Sequence, residues 1–344
     1  MKFDFIIGNP PYQDETLGDN KGYAPPIYHK FLNAAYDIGN HVEMIHPARF
    51  LFDAGATPKA WNKKMLEDEH LKVLYYEPDC SKIFPNTDIK GGIAITYRDA
   101  EKRFGKIEHF IVFDELRSID QKVGTTEENS FSQIVFPSEA YRFTKQMYEE
   151  YPEVEALLSK GHKYDFKTSI LDKLDGKIFF QKVPDDGKEY VGIVGLVKGS
   201  RATKYIRKDF VKEAKNFRNY KVFVPKANGS GSLGEVLSTP LIGQPLIGHT
   251  QSFISIGNFK TEAEANAVMK YVKTKFARVL LGILKITQDN PPEKWRHIPI
   301  QDFSLNSDID WTQSIFNIDQ QLYRKYGLDE KEIEFIETHV KEMK

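Results

Sequence analysis

The sequence predicts an α/β fold in two parts: a partial, doubly wound sheet followed by an α+β domain. Over residues 3–97, apolar runs rich in β-branched and aromatic residues alternate with segments of helical spacing, in the order strand, helix, strand, helix, strand, strand. After a polar stretch, Gly124-Thr125-Thr126-Glu127-Glu128-Asn129-Ser130, the texture changes to short strands between Gly and Pro loops. A length of 344 residues accommodates two such domains, placed at 1–123 and 124–344.

The first strand is Phe3–Ile7, apolar enough to be covered on both faces. It stops in Gly8-Asn9-Pro10-Pro11-Tyr12. A polar loop from Gln13 to Pro26 follows and is expected to be mobile. Phe31, Leu32, Ala35 and Ile38 give a helix over 27–38 that Gly39-Asn40 ends; strand 41–45, helix 61–68 and strands 71–76 and 92–97 complete the series. Further strand signal runs from Lys106 to Phe113. In the second domain, strands are predicted at 177–183, 190–197, 220–224 and 252–256. One long helix is predicted over 261–284, opened by a Thr261/Glu264 capping box and carrying an apolar stripe that belongs to the core.

The chemistry concentrates in the turn after the first strand. Pro10 and Pro11 fix φ and supply no backbone donors. The turn therefore offers one amide (Asn9), carbonyl oxygens and an aromatic ring (Tyr12). An aromatic amine such as that of adenine has two N–H donors and a flat π face. The Asn9 oxygen and the Pro10 carbonyl can accept both hydrogens, and Tyr12 can stack on the ring.

The net charge is −1, which excludes a uniformly basic nucleic-acid binder and leaves local patches. One such patch exists. Lys198–Lys226 holds ten basic and two acidic residues, a local net charge of +8, interleaved with Tyr205, Phe210, Phe217 and Tyr220. Lys198, Arg201, Lys204, Arg207, Lys208, Arg218 and Lys221 are the candidate contacts to the phosphates of double-stranded DNA. The single cysteine, Cys80, rules out an internal disulfide framework, and no apolar run of about 18 residues predicts a membrane span. With no signal-peptide pattern, a cytoplasmic location is expected. The nine histidines show no metal-ligand spacing, so no metal is expected, and His46 before Pro47 reads as a strand-end residue. No nuclease motif is found.

Asp4-Phe5-Ile6-Ile7-Gly8-Asn9-Pro10-Pro11-Tyr12 resembles the catalytic motif of adenine-specific DNA methyltransferases, particularly those of type II (type IIG-like) restriction–modification systems. Protein-glutamine methyltransferases share the tetrad. About 200 further residues of strand-rich, locally basic sequence exceed what a small protein substrate requires. Val42–Leu51 resembles the family's strand that ends in Pro before a helix. Ile83-Phe84-Pro85 resembles the segment closing the base pocket, which implies base contacts from Phe84 and Pro11. Tyr271–Arg278, the Gln288–Pro292 turn and Trp295–Pro299 look like a target-recognition domain of the TaqI-like or type I specificity-subunit kind. Asp310-Trp311 and the helices after it look like the closing segment of type II methylases.

The resemblance implies S-adenosylmethionine as methyl donor. The family's glycine-rich donor loop lies upstream of the Asn-Pro-Pro-Tyr segment, which here begins at residue 9. Gly91-Gly92 and Gly229–Gly234 do not replace it. The expectation is therefore the catalytic half of a methyltransferase with a target-recognition domain, truncated, split or shortened by design. An upstream polypeptide would complete the donor pocket, and the opening strand would expose an edge. The competing reading is a non-catalytic DNA-specificity subunit that depends on a partner.

Overall fold

The computed structural model describes residues 2–14, 24–85, 87, 89–158 and 161–343. Most of the Gln13–Pro26 loop, residues 15–23, and Asn86 and Asp88 of the Phe84 loop lie outside the described residues. The chain forms two compact units, Met1–Arg117 and Ser118–Lys344. The division falls inside the helix Asp114–Val123, before the polar stretch at which the sequence places it.

The first unit contains β1 (Phe3–Gly8), α1 (Tyr28–Ile38), β2 (Gly39–Pro47), α2 (Lys59–Glu67), β3 (Leu71–Glu77), β4 (Ile93–Asp99) and the start of α3 (Asp114–Val123). Its strands form one sheet in the order β1-β2-β4-β3. β1 pairs with β2 in parallel, and β4 runs antiparallel to both β2 and β3. The observed sheet is thus mixed, with one reversed strand. The predicted strand at 106–113 does not form; the segment is irregular and lends Phe110 to a cluster with Phe52 and Tyr76.

The two faces of this sheet differ. One packs Val42, Met44 and His46 beneath Tyr28, Leu32 and Ala35 of α1. The opposite face carries a row of rings: Phe5 stacks on His41 at 4.7 Å, and His41 on Tyr97 at 6.3 Å. Lys72 and Phe104 cover its far end. At β1 nothing does. Phe3, Phe5 and Ile7 are 49 %, 70 % and 79 % exposed, and β1 has a strand neighbour on one side only. A strand covered on both faces was expected; among the described residues it is a bare edge, because no element lies beyond it.

The second unit begins within α3. It continues with β5 (Val135–Phe136), β6 (Arg142–Phe143), α4 (Lys145–Glu150), α5 (Ile170–Lys173), β7 (Tyr190–Val197), β8 (Ser200–Arg207), β9 (Val211–Lys212) and β10 (Tyr220–Pro225). After these come β11 (Leu241–Gly243), β12 (Ile247–His249), β13 (Phe253–Phe259), α6 (Glu262–Tyr271), α7 (Lys275–Leu284), α8 (Ile315–Lys325) and α9 (Glu330–His339). Three sheets result: β11-β10-β13-β5, β12-β7-β8 and the pair β6-β9. An aromatic core including Tyr141, Phe143, Phe166, Phe179 and Phe217 backs the β12-β7-β8 sheet and the β6-β9 pair. The segment predicted as a strand at 177–183 contributes only isolated bridges, at Phe179 and Phe180.

The predicted long helix is two helices. The Thr261/Glu264 capping box opens α6 as expected. The chain then breaks at Thr274, whose hydroxyl caps α7 by accepting from the Ala277 amide at 3.1 Å. Buried Asp319 accepts from the Lys275 and Phe276 amides at 3.0 and 2.9 Å. A new N-terminus satisfied by two side chains competes with helix continuation, and residue spacing alone does not register Asp319.

Candidate functional site

The turn after β1 projects from the end of the sheet. Asn9 is exposed, Pro10 buried, Pro11 exposed and Tyr12 half-buried. Gly8 sits opposite Met44, where a Cβ would lie 3.0 Å from the Met44 sulfur. Backbone bonds clip the segment after the turn to the start of α1: the Ile27 amide donates to the Tyr12 carbonyl at 3.1 Å, and Asp14 to Pro25 at 2.9 Å. This fixes Tyr12 while leaving the Asn9 amide free of intrachain bonds among the described residues.

Tyr12 and Phe84, 72 positions apart in sequence numbering, meet edge to face with centroids 6.4 Å apart at 69°. The Tyr12 hydroxyl is buried without a partner among the described residues, and burial pushes its pKa up to about 12. Phe84 rides on a loop that Cys80 stitches. The Cys80 thiol donates to the Thr87 carbonyl at 2.8 Å, its sulfur receives the Ile89 amide at 2.9 Å, and the Phe84 amide bonds the Cys80 carbonyl at 2.8 Å. Cys80 therefore has a structural task that composition did not suggest. At the loop's far end Gly92 has φ +75°, and a Cβ there would lie 2.4 Å from the Glu77 carbonyl oxygen.

Beneath the turn, His46 stacks on Tyr28 at 5.7 Å and is fully buried. Its Nδ1 lies 3.0 Å from the Pro47 carbonyl, which can only accept, so Nδ1 carries the proton and Nε2 accepts from Thr96 at 2.8 Å. Burial lowers its pKa to about 4, so the ring is neutral at neutral pH. No group of three or more potential metal ligands occurs among the described residues.

The basic segment fares differently. β7 and β8 form a hairpin whose two-residue turn is Lys198-Gly199, both at positive φ. Lys198 lies exposed at this tip. Arg201 is exposed, bonded to the Thr239 carbonyl at 3.0 Å and lying over Phe253. Lys208 pairs with Glu189 at 2.6 Å and Arg218 with Glu213 at 2.9 Å. Lys204 is 2 % exposed, with its ammonium on the Leu171 carbonyl at 3.0 Å and Asp175 at 2.6 Å. Arg207 is buried between Glu150 and Asp209 and over Phe210. Lys221 is fully buried, donating to the carbonyls of Phe217, Asn219 and Gln244 at 3.0–3.1 Å, and burial pulls its pKa down to about 7. Lys204, Arg207 and Lys221 were expected to face phosphates. Their charged ends are instead engaged within the unit: Lys204 and Lys221 are buried with their ammonium groups on backbone carbonyls, and Arg207 lies between two carboxylates.

The described residues do not fit S-adenosylmethionine. No glycine-rich turn joins a strand to a helix among them. The amides of Ser230 and Gly231, the nearest to an anion-binding nest, are occupied by the Glu235 carboxylate at 2.8 and 3.0 Å. No helix among the described residues is long and apolar enough to cross a membrane.

Residues 1–84 match the family described as Eco57I restriction-modification methylase. A protein of Mycoplasma pneumoniae (strain ATCC 29342 / M129 / Subtype 1) described as an uncharacterized adenine-specific methylase is 35 % identical over 95 residues, covering 27 % of this chain and 22 % of that protein. Among solved structures, the type IIG restriction endonuclease BpuSI aligns with 95 % of this chain and 49 % of its own, at 11 % identity and a TM-score of 0.30. The type IIL restriction-modification enzyme MmeI in complex with DNA aligns with 98 % and 56 %, at 8 % identity and a TM-score of 0.36. The chain thus spans under a quarter of the methylase relative and about half of each solved enzyme.

Proposed function

We propose that this chain supplies the base-gripping part and the target-recognition domain of an adenine-specific DNA methyltransferase from a restriction–modification system. The observation that carries the proposal is the turn itself: an exposed Asn9 amide beside the Pro10 carbonyl, with the Tyr12 ring edge to face with Phe84 next to it. The match of residues 1–84 to a restriction-modification methylase family supports it.

An adenine amine is a weak nucleophile because its lone pair is delocalised into the ring. Acceptance of its two N–H bonds by Asn9 and Pro10 favours a pyramidal nitrogen with an exposed lone pair. Holding it there is the main catalytic contribution of this chain. The base is out of reach inside a duplex. It must be flipped and gripped by stacking, the role proposed for Tyr12 and Phe84, with Pro11 at the rim. S-adenosylmethionine supplies the methyl group in the complete enzyme. Since the described residues do not build its seat, the donor site is proposed to come from a further segment or polypeptide that covers the β1 edge and the exposed Phe3, Phe5 and Ile7.

The test is reconstitution of the chain with the polypeptide encoded upstream, S-adenosylmethionine and duplex DNA. Asn9→Ala should lower methylation at least about 100-fold, as loss of one transition-state hydrogen bond does, with DNA binding unchanged. An alanine variant that methylates normally would refute the assignment. The same open edge favours a second reading, a specificity subunit whose partner performs the whole reaction; an Asn9-independent reconstituted activity would support it.

A further inference from the structure

The second unit contains a cleft of about 730 Å³ that the basic segment did not announce. Its walls bring together Glu139, Arg142, His162, Asp165, Lys226 and Gln251 from separate stretches of chain. No Phe, Tyr, Trp or aliphatic side chain lines it, unlike small-molecule pockets, which are mostly apolar. It also carries both signs of charge. A phosphate site gathers donors alone, whereas here Arg142, Lys167 and Lys226 alternate with the carboxylates of Glu139 and Asp165. The edges of base pairs in the major groove instead present donors and acceptors side by side, and Arg, Gln and carboxylate side chains are their usual readers.

The cleft is held rigidly. Arg142 alternates with buried Phe143, and Asp165 precedes buried Phe166; these two rings pack 4.6 Å apart in the core. Asp165 receives His162 at 3.0 Å and lies 3.5 Å from the Arg142 guanidinium. The Gln251 amide bonds the Phe166 carbonyl at 2.7 Å, and the Lys226 amide the Ser252 carbonyl at 2.9 Å. The backbone is thereby fixed, while the side chains of Gln251, Thr168 and Ser169 make no hydrogen bond among the described residues. Arg142 stays about half exposed, with its fork steered by Asp165.

We propose that this cleft reads base edges in the major groove of duplex DNA. Arg142 would select guanine, Gln251 adenine, and Glu139 would accept from a cytosine or adenine amine through Oε2, its Oε1 being held by the Ser138 hydroxyl and facing Lys226. The proposal deepens the methyltransferase reading and rests on it.

The test selects from a randomised duplex library with the full chain and its variants Arg142→Ala, Gln251→Ala and Lys198→Ala, each checked for folding by circular dichroism. The parent should enrich a defined sequence. Arg142→Ala and Gln251→Ala should each relax the preference at one position by about tenfold or more. Lys198→Ala, on the hairpin tip, should weaken all sequences alike. If Arg142→Ala fails to fold after losing Asp165, Gln251→Ala decides, since its side chain has no hydrogen bond to lose among the described residues. An unchanged preference in folded cleft variants overturns the assignment and leaves the methyltransferase reading standing. A parent chain with no sequence preference overturns the target-recognition reading along with it.

Discussion

β1 with its turn and the β7–β8 hairpin with the segment after it are both short, apolar stretches leading into polar residues. β1 has one strand neighbour, and both its apolar side chains and its amide end exposed. β7 is paired on both sides, and the cations that follow are drawn inward with the apolar residues. Residue type does not separate the two cases, and neither does edge position, since β8 is itself the edge of its sheet; cover does, for Phe180 bridges to β8 and the aromatic core packs against it. A strand with an aromatic core behind it has backbone carbonyls and carboxylates of neighbouring segments around it, and long basic side chains reach them. A strand without such cover offers nothing, and its groups remain available to another molecule.

This contrast can be broken most sharply at Lys221. Lys221→Ala would orphan three carbonyl groups and open a cavity, and should cost about 3 kcal/mol in urea unfolding, with DNA affinity of the folded protein unchanged. Lost DNA binding at intact stability would return Lys221 to the DNA-facing set. The next effect uses one buried histidine from each unit. His46 and His249 are both lowered to about 4 by burial, whereas an unfolded histidine titrates near 6.5. Between these values the unfolded chain binds more protons, so stability falls as pH falls from 6.5 toward 4. Each histidine should remove about 2 kcal/mol between pH 7 and pH 5, measurable as a lower urea midpoint in both units. His46→Asn should flatten the response of the first unit alone. The smallest effect on stability belongs to Ile7→Lys. On an exposed face it should change unfolding by less than about 0.5 kcal/mol. It should nevertheless abolish complementation by the donor-binding polypeptide if β1 is the docking edge; full complementation would leave that edge without a role.

Parts of this were legible in the sequence because they depend on near neighbours in the chain. The order of elements through Tyr97, the Thr261/Glu264 capping box and the rigid turn at Asn9-Pro10-Pro11 follow from local spacing and from proline's fixed φ. The pairing of Tyr12 with Phe84 needed the resemblance to a family, since nothing in their separate surroundings links them. Lys106–Phe113 had strand-like composition but finds no partner strand, and 261–284 had helical spacing but is cut by Asp319 from α8. The cleft around Arg142 left no signal at all, as its members are dispersed from Glu139 to Gln251.

By itself the sequence determined which groups the turn after β1 carries, an amide, carbonyl oxygens and a ring, because the covalent structure of Asn-Pro-Pro-Tyr carries those groups wherever it folds. Tertiary structure alone decided which charges reach the surface, whether β1 is covered, and where polar side chains converge. Those outcomes rest on burial and pairing between distant segments, and the free energy of each depends on partners that no local stretch specifies.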